Sequence, residues 1–449
     1  MPQVRSVSSV QQRLRRSNPM IATMRASLAR TERADAAGLR RYQERRLRAM
    51  VRWAARRSPF YRRWFDEAGV DPRSIRTLED LPRLPLIERR HLAETPEDFL
   101  AYPKRLVWAA HSSGTSGAPM TVYRTAGSSI FEMAALQRQW GWFGITPGSG
   151  SVELRGSTFA GNDPEVVALH NPGAHRLLIS SFRLSPEFFP AIWREITAFG
   201  PATVEGWPSS LALLAALIRD AGRTLPVRGV ITSSELMSPA QIALMRAVYV
   251  GPIIDHYGQT ERVVMAGGCE AGGYHLFSDY GIMELLPVPG TGDEHEIVGT
   301  PLHNWGFPLL RYRTGDRVGT PATEPCPCGR AFPSFGLIGG RTEDLVRAAD
   351  GRPVPLASTI IDDLTGLKEV QFVQHRPGVF EVRMVPGAGY DRAAVEALAR
   401  ENLLLMAGPG NDVTFTEMDA LPRSGSGKLK MILVLDPGEL PDQRESASS

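Results

Sequence analysis

Apolar residues recur at helical spacing between positions 40 and 63 beneath a face of arginines, a pattern that predicts an amphipathic helix with a solvated basic side. Residues 78–86 follow, with Pro82 and Pro85, and read as a connector and not as a helix. Strands are predicted at 105–110 and 120–124, with a run of small residues between them, and a helix at 128–142. Short apolar runs then alternate with helical ones, strands at 177–180, 202–204, 227–231 and 253–255 and helices at 188–199, 211–220 and 240–248. This alternation specifies an α/β fold with a largely parallel sheet. Past residue 280 the pattern turns to strands, at 282–286, 296–299 and 309–314, as in a β-rich subdomain. The final stretch changes once more, to strands at 369–373, 379–385 and 413–417 around a helix at 392–406, a small α+β unit.

Length and charge narrow the class. A chain of 449 residues exceeds one ordinary core, so more than one domain is expected. With 51 Lys and Arg against 48 Asp and Glu, nothing calls for a nucleic-acid partner. No apolar run reaches bilayer length, so no membrane partner is expected. The first thirty-odd residues, rich in Arg and Ser, read as a frayed tail, and those beyond 437 as disordered. Three cysteines make no disulfide framework and fit a reducing, cytoplasmic setting.

The run between the first two strands is Ser112, Ser113, Gly114, Thr115, Ser116 and Gly117. Small hydroxyl and glycine residues let backbone N–H and side-chain O–H groups converge on a phosphate chain. A Walker loop would end in Gly-Lys-Ser/Thr and enter a helix, whereas Ala118 and Pro119 lead here into a strand. Tyr257, Gly258, Gln259, Thr260 and Glu261 end a strand in a turn, offering a ring for a base and a carboxylate for a metal. Asp316, after another strand, suits ribose hydroxyls, and Lys428 sits on a glycine-flexible loop able to reach an anion. Each of these alone is a turn or a solvated charge.

Taken in order, and with Gly340, Arg341, Thr342, Glu343 and Asp344 between the last two, these motifs resemble the core of the adenylate-forming superfamily. Ser58 to Tyr61, the Leu81 to Leu86 connector, and Asn304 with Pro308 to Tyr312 look like its phenylacetate:CoA ligase branch, closest to relatives associated with capsular polysaccharide genes. The resemblance implies a helical N-terminal region (1–100), a large adenylation domain with mixed or parallel sheets and a β-rich subdomain (101–340), and a small mobile α+β domain (341–437). It implies that a carboxylic acid attacks ATP to form an acyl-adenylate and pyrophosphate, after which a thiol or amine displaces AMP. Ser112 to Gly117 would hold phosphates, Glu235 and Tyr257 to Thr260 the adenine, Glu261 magnesium, and Asp316 and Arg341 the ribose. Lys428 would stabilise the anionic transition state, and Glu261 and Arg341 would share in catalysis. The small domain would then rotate beside Arg341.

Two departures qualify this picture. Ala118 stands where many relatives have lysine, and residues 348–355 do not carry the Arg-Gly-x-Asn-x-Phe-Pro loop that helps form the thioesterification site. Coenzyme A leads as acceptor, an amine is the alternative, and a non-catalytic nucleotide-binding relative is the reading of another class. Trp140, Trp142, Phe143, Glu205, Trp207 and Pro208 lie where an acyl pocket is expected and favour an aromatic acid. Relatives in the branch are often dimers.

Cys269, His275, Cys326 and Cys328 use every cysteine in the chain. Three thiolates and an imidazole are a closed tetrahedral zinc set, structural and not catalytic. The other reading is three reduced, buried cysteines and a surface histidine.

Overall fold

A computed structural model describes residues 3–6, 18–112, 120–155, 166–234, 237, 239–287, 295–335, 346–351, 354, 359–362, 364, 366–387, 389–421 and 432–435. The chain divides into one unit of residues 1–112 and 121–340 and another of residues 113–120 and 341–449.

In the larger unit a short strand β1 (Gln3–Ser6) precedes helices α1 (Pro19–Glu32), α2 (Ala36–Arg57) and α3 (Pro59–Ala68). Helix α1 corrects the expectation of a frayed tail. Asn18 caps it by accepting from the Met20 N–H, and Ile21 and Leu28 are buried against Phe131, Ala134 and Trp140. Its apolar stripe is thin, so only the partner helix makes it stable, and such a helix is hard to see in one sequence. The predicted basic helix is two helices, because Ser58 ends α2 with an N–H to Ala54 and Pro59 opens α3. The proline connector is a 3₁₀ helix over Leu78–Arg83, whose start is fixed by Asp80 accepting from the Arg76 and Thr77 N–H groups.

Strands β2 (Trp108–Ser112) and β3 (Met120–Arg124) pair as a ribbon, and α4 (Arg89–Glu94) and α5 (Ala126–Trp142) flank them in sequence. The chain then alternates through β4 (Ser151–Arg155), β5 (Val166–Asn171), β6 (Arg176–Ser180), α6 (Phe189–Phe199), β7 (Thr203–Gly206) and α7 (Pro208–Asp220). A two-residue strand β8 (Leu225–Pro226), β9 (Gly229–Ser233), α8 (Pro239–Val248), a second two-residue strand β10 (Tyr249–Val250) and β11 (Ile253–Gly258) complete the alternation. After it come β12 (Met265–Gly268), β13 (Tyr274–Leu276), β14 (Gly281–Pro287), β15 (His295–Pro301), β16 (Tyr312–Val318) and β17 (Ser334–Phe335).

Among the described residues, ten strands form one sheet in the order β1-β5-β6-β4-β7-β9-β11-β12-β13-β17. The stretch from β6 to β11 is parallel, as the alternation predicts, and the strands beyond β11 are antiparallel. Val152, Ile179, Val204 and Val230 pack on Ile192, Leu214 and Ile218 of the covering helices. Strands β14, β15 and β16 form the separate β-rich sheet.

Between α5 and this β-rich part, Arg138 and Asp279 form a pair with almost no exposure, joined through Nη2 and Oδ1 at 3.1 Å. Thr31 of α1 also donates to Asp279, and Phe277 and Phe332 lie over the guanidinium at 5.0 Å each. Arg138→Ala leaves a buried carboxylate without its cation and is expected to cost about 3–5 kcal/mol. Urea unfolding checks this, and a loss under about 1 kcal/mol would show that water reaches Asp279.

In the smaller unit, α9 (Thr359–Asp362), β18 (Leu367–Arg376), β19 (Val379–Pro386), α10 (Arg392–Ala407), β20 (Asp412–Glu417) and β21 (Ile432–Val434) give a sheet ordered β20-β19-β18-β21. Phe372 and Phe380 stack at 5.0 Å in its core, and Val395, Ala399 and Leu403 turn one face of α10 inward.

Candidate nucleotide site and metal cluster

Strand β11 runs between β9, to which it is parallel, and β12, to which it is antiparallel, so its carboxyl end lies where the sheet changes direction. Tyr257 is at that end. Its hydroxyl donates to Asp316 at 2.7 Å, and Gln259 donates to the same phenol oxygen at 2.7 Å. The expected base and ribose contacts, far apart in sequence, therefore meet directly. Burial first, and then the Asp316 charge, hold the Tyr257 phenol well above its ordinary pKa, so it stays a donor.

Glu261 follows in the turn and is 8 % exposed. Tyr312 donates to its Oε1 at 2.8 Å. Tyr312 in turn is braced by the segments that mark the branch. The Leu310 N–H donates to the Tyr61 hydroxyl oxygen at 2.7 Å, and Ile87, directly after the proline connector, exchanges backbone hydrogen bonds with Arg311 and Arg313 on either side of Tyr312. Asn304 donates to the Tyr123 carbonyl at 2.9 Å. Tyr61 and Ile87 thus have a physical task, which is to brace the segment that carries Tyr312 to Glu261.

Two groups near this turn carry no signature in the sequence. Arg124, at the end of β3, donates through Nη2 to the Thr260 carbonyl at 2.9 Å. Burial and the neighbouring Arg262 push its pKa down to about 10. Arg262 itself lies 3.5 Å from Glu132, which accepts a hydrogen bond from Tyr280. Their positions, one ending the strand after the small-residue run and one directly after Glu261, are the only hint the sequence offers.

One residue before His256, Asp255 accepts from the Tyr274 hydroxyl at 2.8 Å, while burial pushes its carboxyl up to about 6 from 3.8. The folded chain therefore favours the protonated acid, and this stability is full below about pH 4 and lost as pH rises through 6, by roughly 3 kcal/mol. Asp255→Asn is expected to remove that decline, so the unfolding free energy of the variant relative to the parent should rise from pH 4 to 6. Parallel profiles across that window would dismiss it.

Other expected residues divide as follows. Ser112 closes β2 as backbone, and its side chain, like Ser113 to Gly117, Glu235, Arg341 and Lys428, lies outside the described residues. Trp140 is buried in the core with α1, and Trp142 meets Phe277 edge-on at 5.5 Å and carries Arg330 at 3.9 Å over its ring. Packing therefore accounts for both tryptophans, which are withdrawn from the acyl-pocket set. His256 has Glu132 and Glu205 as charged neighbours, though burial lowers its pKa.

The cysteines and His275 converge. The hairpin β12–β13 puts Cys269 and His275 at its turn end, and a turn before β17 supplies Cys326 and Cys328. Their ligand atoms all lie within 4.8 Å of one another. Cys269 and Cys326 sulfurs are 3.7 Å apart, and Cys328 Sγ is 3.3 Å from His275 Nε2. A tetrahedral zinc with ordinary bond lengths separates its ligands by about 3.5–3.8 Å, so the set fits with small adjustment. His275 Nδ1 donates to the Phe332 carbonyl at 2.9 Å, which leaves the Nε2 lone pair toward the thiols. His275 is fully buried, so the reading of a surface histidine fails. Gly273 is required here, since a Cβ would stand 2.7 Å from Cys326 Sγ. Arg330 beside the cluster pairs with Glu32 of α1 and Glu270, tying the N-terminal helix to this corner.

No protein-family model matches the chain. It is 30 % identical to a phenylacetate-coenzyme A ligase of Thermus thermophilus, over 76 % of this chain and 80 % of that one. Protein CapK of Staphylococcus aureus is 19 % identical over 87 % of this chain and 88 % of its own. Among solved structures, a 2-hydroxyisobutyryl-CoA ligase in complex with 2-HIB-AMP and CoA superposes with a TM-score of 0.59 at 20 % identity, covering 90 % of this chain and 91 % of that one, which shows a shared fold. The ordered motifs, the pairing of Tyr257 with Asp316 and of Glu261 with Tyr312, and this likeness lead to one conclusion: the chain belongs to the phenylacetate-coenzyme A ligase family of adenylate-forming enzymes.

Proposed function

We propose that the chain joins a carboxylic acid to coenzyme A in two steps, through an acyl-adenylate. The observation that carries the reading is the double juxtaposition at the end of β11, where Tyr257 meets Asp316 and Glu261 meets Tyr312. The first pair anchors a phenol ring beside a carboxylate, which suits an adenine on the ring and ribose hydroxyls on the acid. The second engages one oxygen of a nearly buried carboxylate, so that Glu261 can offer the other to magnesium. Magnesium there neutralises charge on the leaving pyrophosphate. Ser112 to Gly117 supply phosphate donors, Glu235 and Arg341 complete the nucleotide contacts, and Lys428 meets the reacting α-phosphate. An aromatic acid is the substrate class in keeping with the phenylacetate ligases among the relatives.

Coenzyme A is favoured over an amine as acceptor because the phenylacetate-coenzyme A ligases among the relatives match 76 % and 91 % of this chain. The segment that departs from the phenylacetate ligases proper turns tightly here, with Gly351 at φ 80° and its N–H on the Ala348 carbonyl. Zinc held by Cys269, His275, Cys326 and Cys328 is structural, since four protein ligands leave no open position.

Hydroxylamine trapping across an aromatic acid panel, followed by mass spectrometry with coenzyme A or candidate amines, tests the reading. The expected result is an ATP-dependent hydroxamate and, with coenzyme A, a thioester. ATP binding without hydroxamate from any acid would support the non-catalytic relative, and an amide in place of the thioester would move the acceptor to an amine.

A further inference from the structure

Among the described residues, the non-glycine residues at positive φ are His175, Ser234, Arg262 and Arg311. Arg262 directly follows Glu261 and Arg311 directly precedes Tyr312, each at φ 56°. The two arginines therefore stand at opposite ends of the Glu261–Tyr312 hydrogen bond. In this region the Cβ crowds the backbone, so an arginine remains there only where its surroundings hold it.

Both are held in the same manner, by a carboxylate with little exposure on a neighbouring element. Arg311 donates through Nε to both oxygens of Glu284 at 3.1 and 3.0 Å, through Nη1 to the Leu84 carbonyl at 2.8 Å, and through its own N–H to Thr300 Oγ1 at 2.9 Å. Arg262 has Glu132 at 3.5 Å from its Nε and donates through Nη1 to Ser129 at 3.2 Å. Arg124 closes the turn from the other side through the Thr260 carbonyl. The left-handed step at Arg262 turns the chain from Glu261 into the buried pair Val263 and Val264, and that at Arg311 turns it from buried Leu310 into β16. Neither guanidinium bonds to Glu261. Each fixes the direction from which the Glu261 carboxylate or its tyrosine partner arrives.

We propose that Arg262 and Arg311 are positioning residues, opposed clamps that aim the Glu261 carboxylate at the divalent cation accompanying ATP. This rests on the reading that Glu261 bears that cation.

The test is the affinity of the full-length protein for ATP, measured by calorimetry with excess magnesium and again in EDTA. The ratio of the two affinities isolates the cation's share. Glu261→Gln is expected to bring the ratio close to one, and if it does not, the assignment of Glu261 falls and this inference with it. Glu284→Gln, which keeps the shape of the side chain and loosens Arg311, and Arg262→Gly, which tolerates the positive φ and removes the clamp, are each expected to lower the ratio about 10-fold with the EDTA affinity unchanged. Arg262→Lys, which keeps a cation near Glu132, should recover part of the loss. An unchanged ratio in both loosened variants, with Glu261→Gln still effective, would overturn the inference. So would a fall in the EDTA affinity that matches the fall with magnesium, because that is what mere damage to the fold produces.

Discussion

Lys428→Ala is expected to slow ATP–pyrophosphate exchange by about 10²–10³-fold and to leave transfer from a supplied acyl-adenylate to the acceptor near its normal rate. The size follows from what the first step must bring together. A carboxylate approaches an α-phosphate that is itself anionic, and the crowded transition state concentrates negative charge in a site from which water is displaced. Many relatives have a lysine in the phosphate loop, but this chain has Ala118, so fewer fixed cations share the task. In the proposed mechanism, removing Lys428 takes away a cation at the reacting phosphate. The second step has no such demand, because the nucleophile attacks a carbonyl carbon and not an anionic phosphate, and the displaced group is AMP. Exchange within about twofold of normal would sink the assignment of the lysine. Equal slowing of both steps would point instead to general damage.

The second large effect concerns the metal cluster. Protein purified without added metal is expected to hold about one zinc per chain, and Cys328→Ala to lose it together with stability on the order of 4–5 kcal/mol. Three sulfurs and one nitrogen already stand within 4.8 Å of one another, at the turn end of a hairpin and in the turn before a two-residue strand. Loss of the metal leaves the buried Cys269 thiol, which burial pushes up to about 11, neutral and without its ligand bond. Arg330 and Glu32 carry that loosening to α1. Elemental analysis and thermal unfolding decide. Less than about half an equivalent of metal, with an alanine variant as stable as the parent, would return the cysteines to ordinary buried thiols.

The legible part of this protein was the part in which neighbours in sequence do the work. Alternating apolar runs located the parallel strands and their helices because burial on both faces leaves a local mark. Tyr257 to Glu261 and Asp316 could be singled out because a site needs particular side chains at the end of a strand, and the spacing of Cys269, His275, Cys326 and Cys328 already matched a zinc set. The misses have equally specific causes. The strand expected at 309–314 begins at Tyr312 and runs on to Val318, because hydrophobicity marks Leu309 and Leu310 as buried but says nothing of the left-handed Arg311 that keeps them out of the sheet. Helix α1 was missed because Ile21 and Leu28 acquire their partners from α5, more than a hundred residues later.

By itself, then, the sequence determined the class of fold, the order of its motifs and the chemistry each side chain is able to perform, since propensity, periodicity and functional groups are local properties. The tertiary structure decided which of these groups act together. It placed the Tyr257 hydroxyl on Asp316, the Tyr312 hydroxyl on Glu261 and the His275 ring against two distant cysteines, and it set Arg262 and Arg311 in a conformation their own preferences oppose. Such pairings depend on a few ångströms between segments dozens of residues apart, and on packing strong enough to hold a residue away from its preferred backbone, neither of which leaves a trace in local composition.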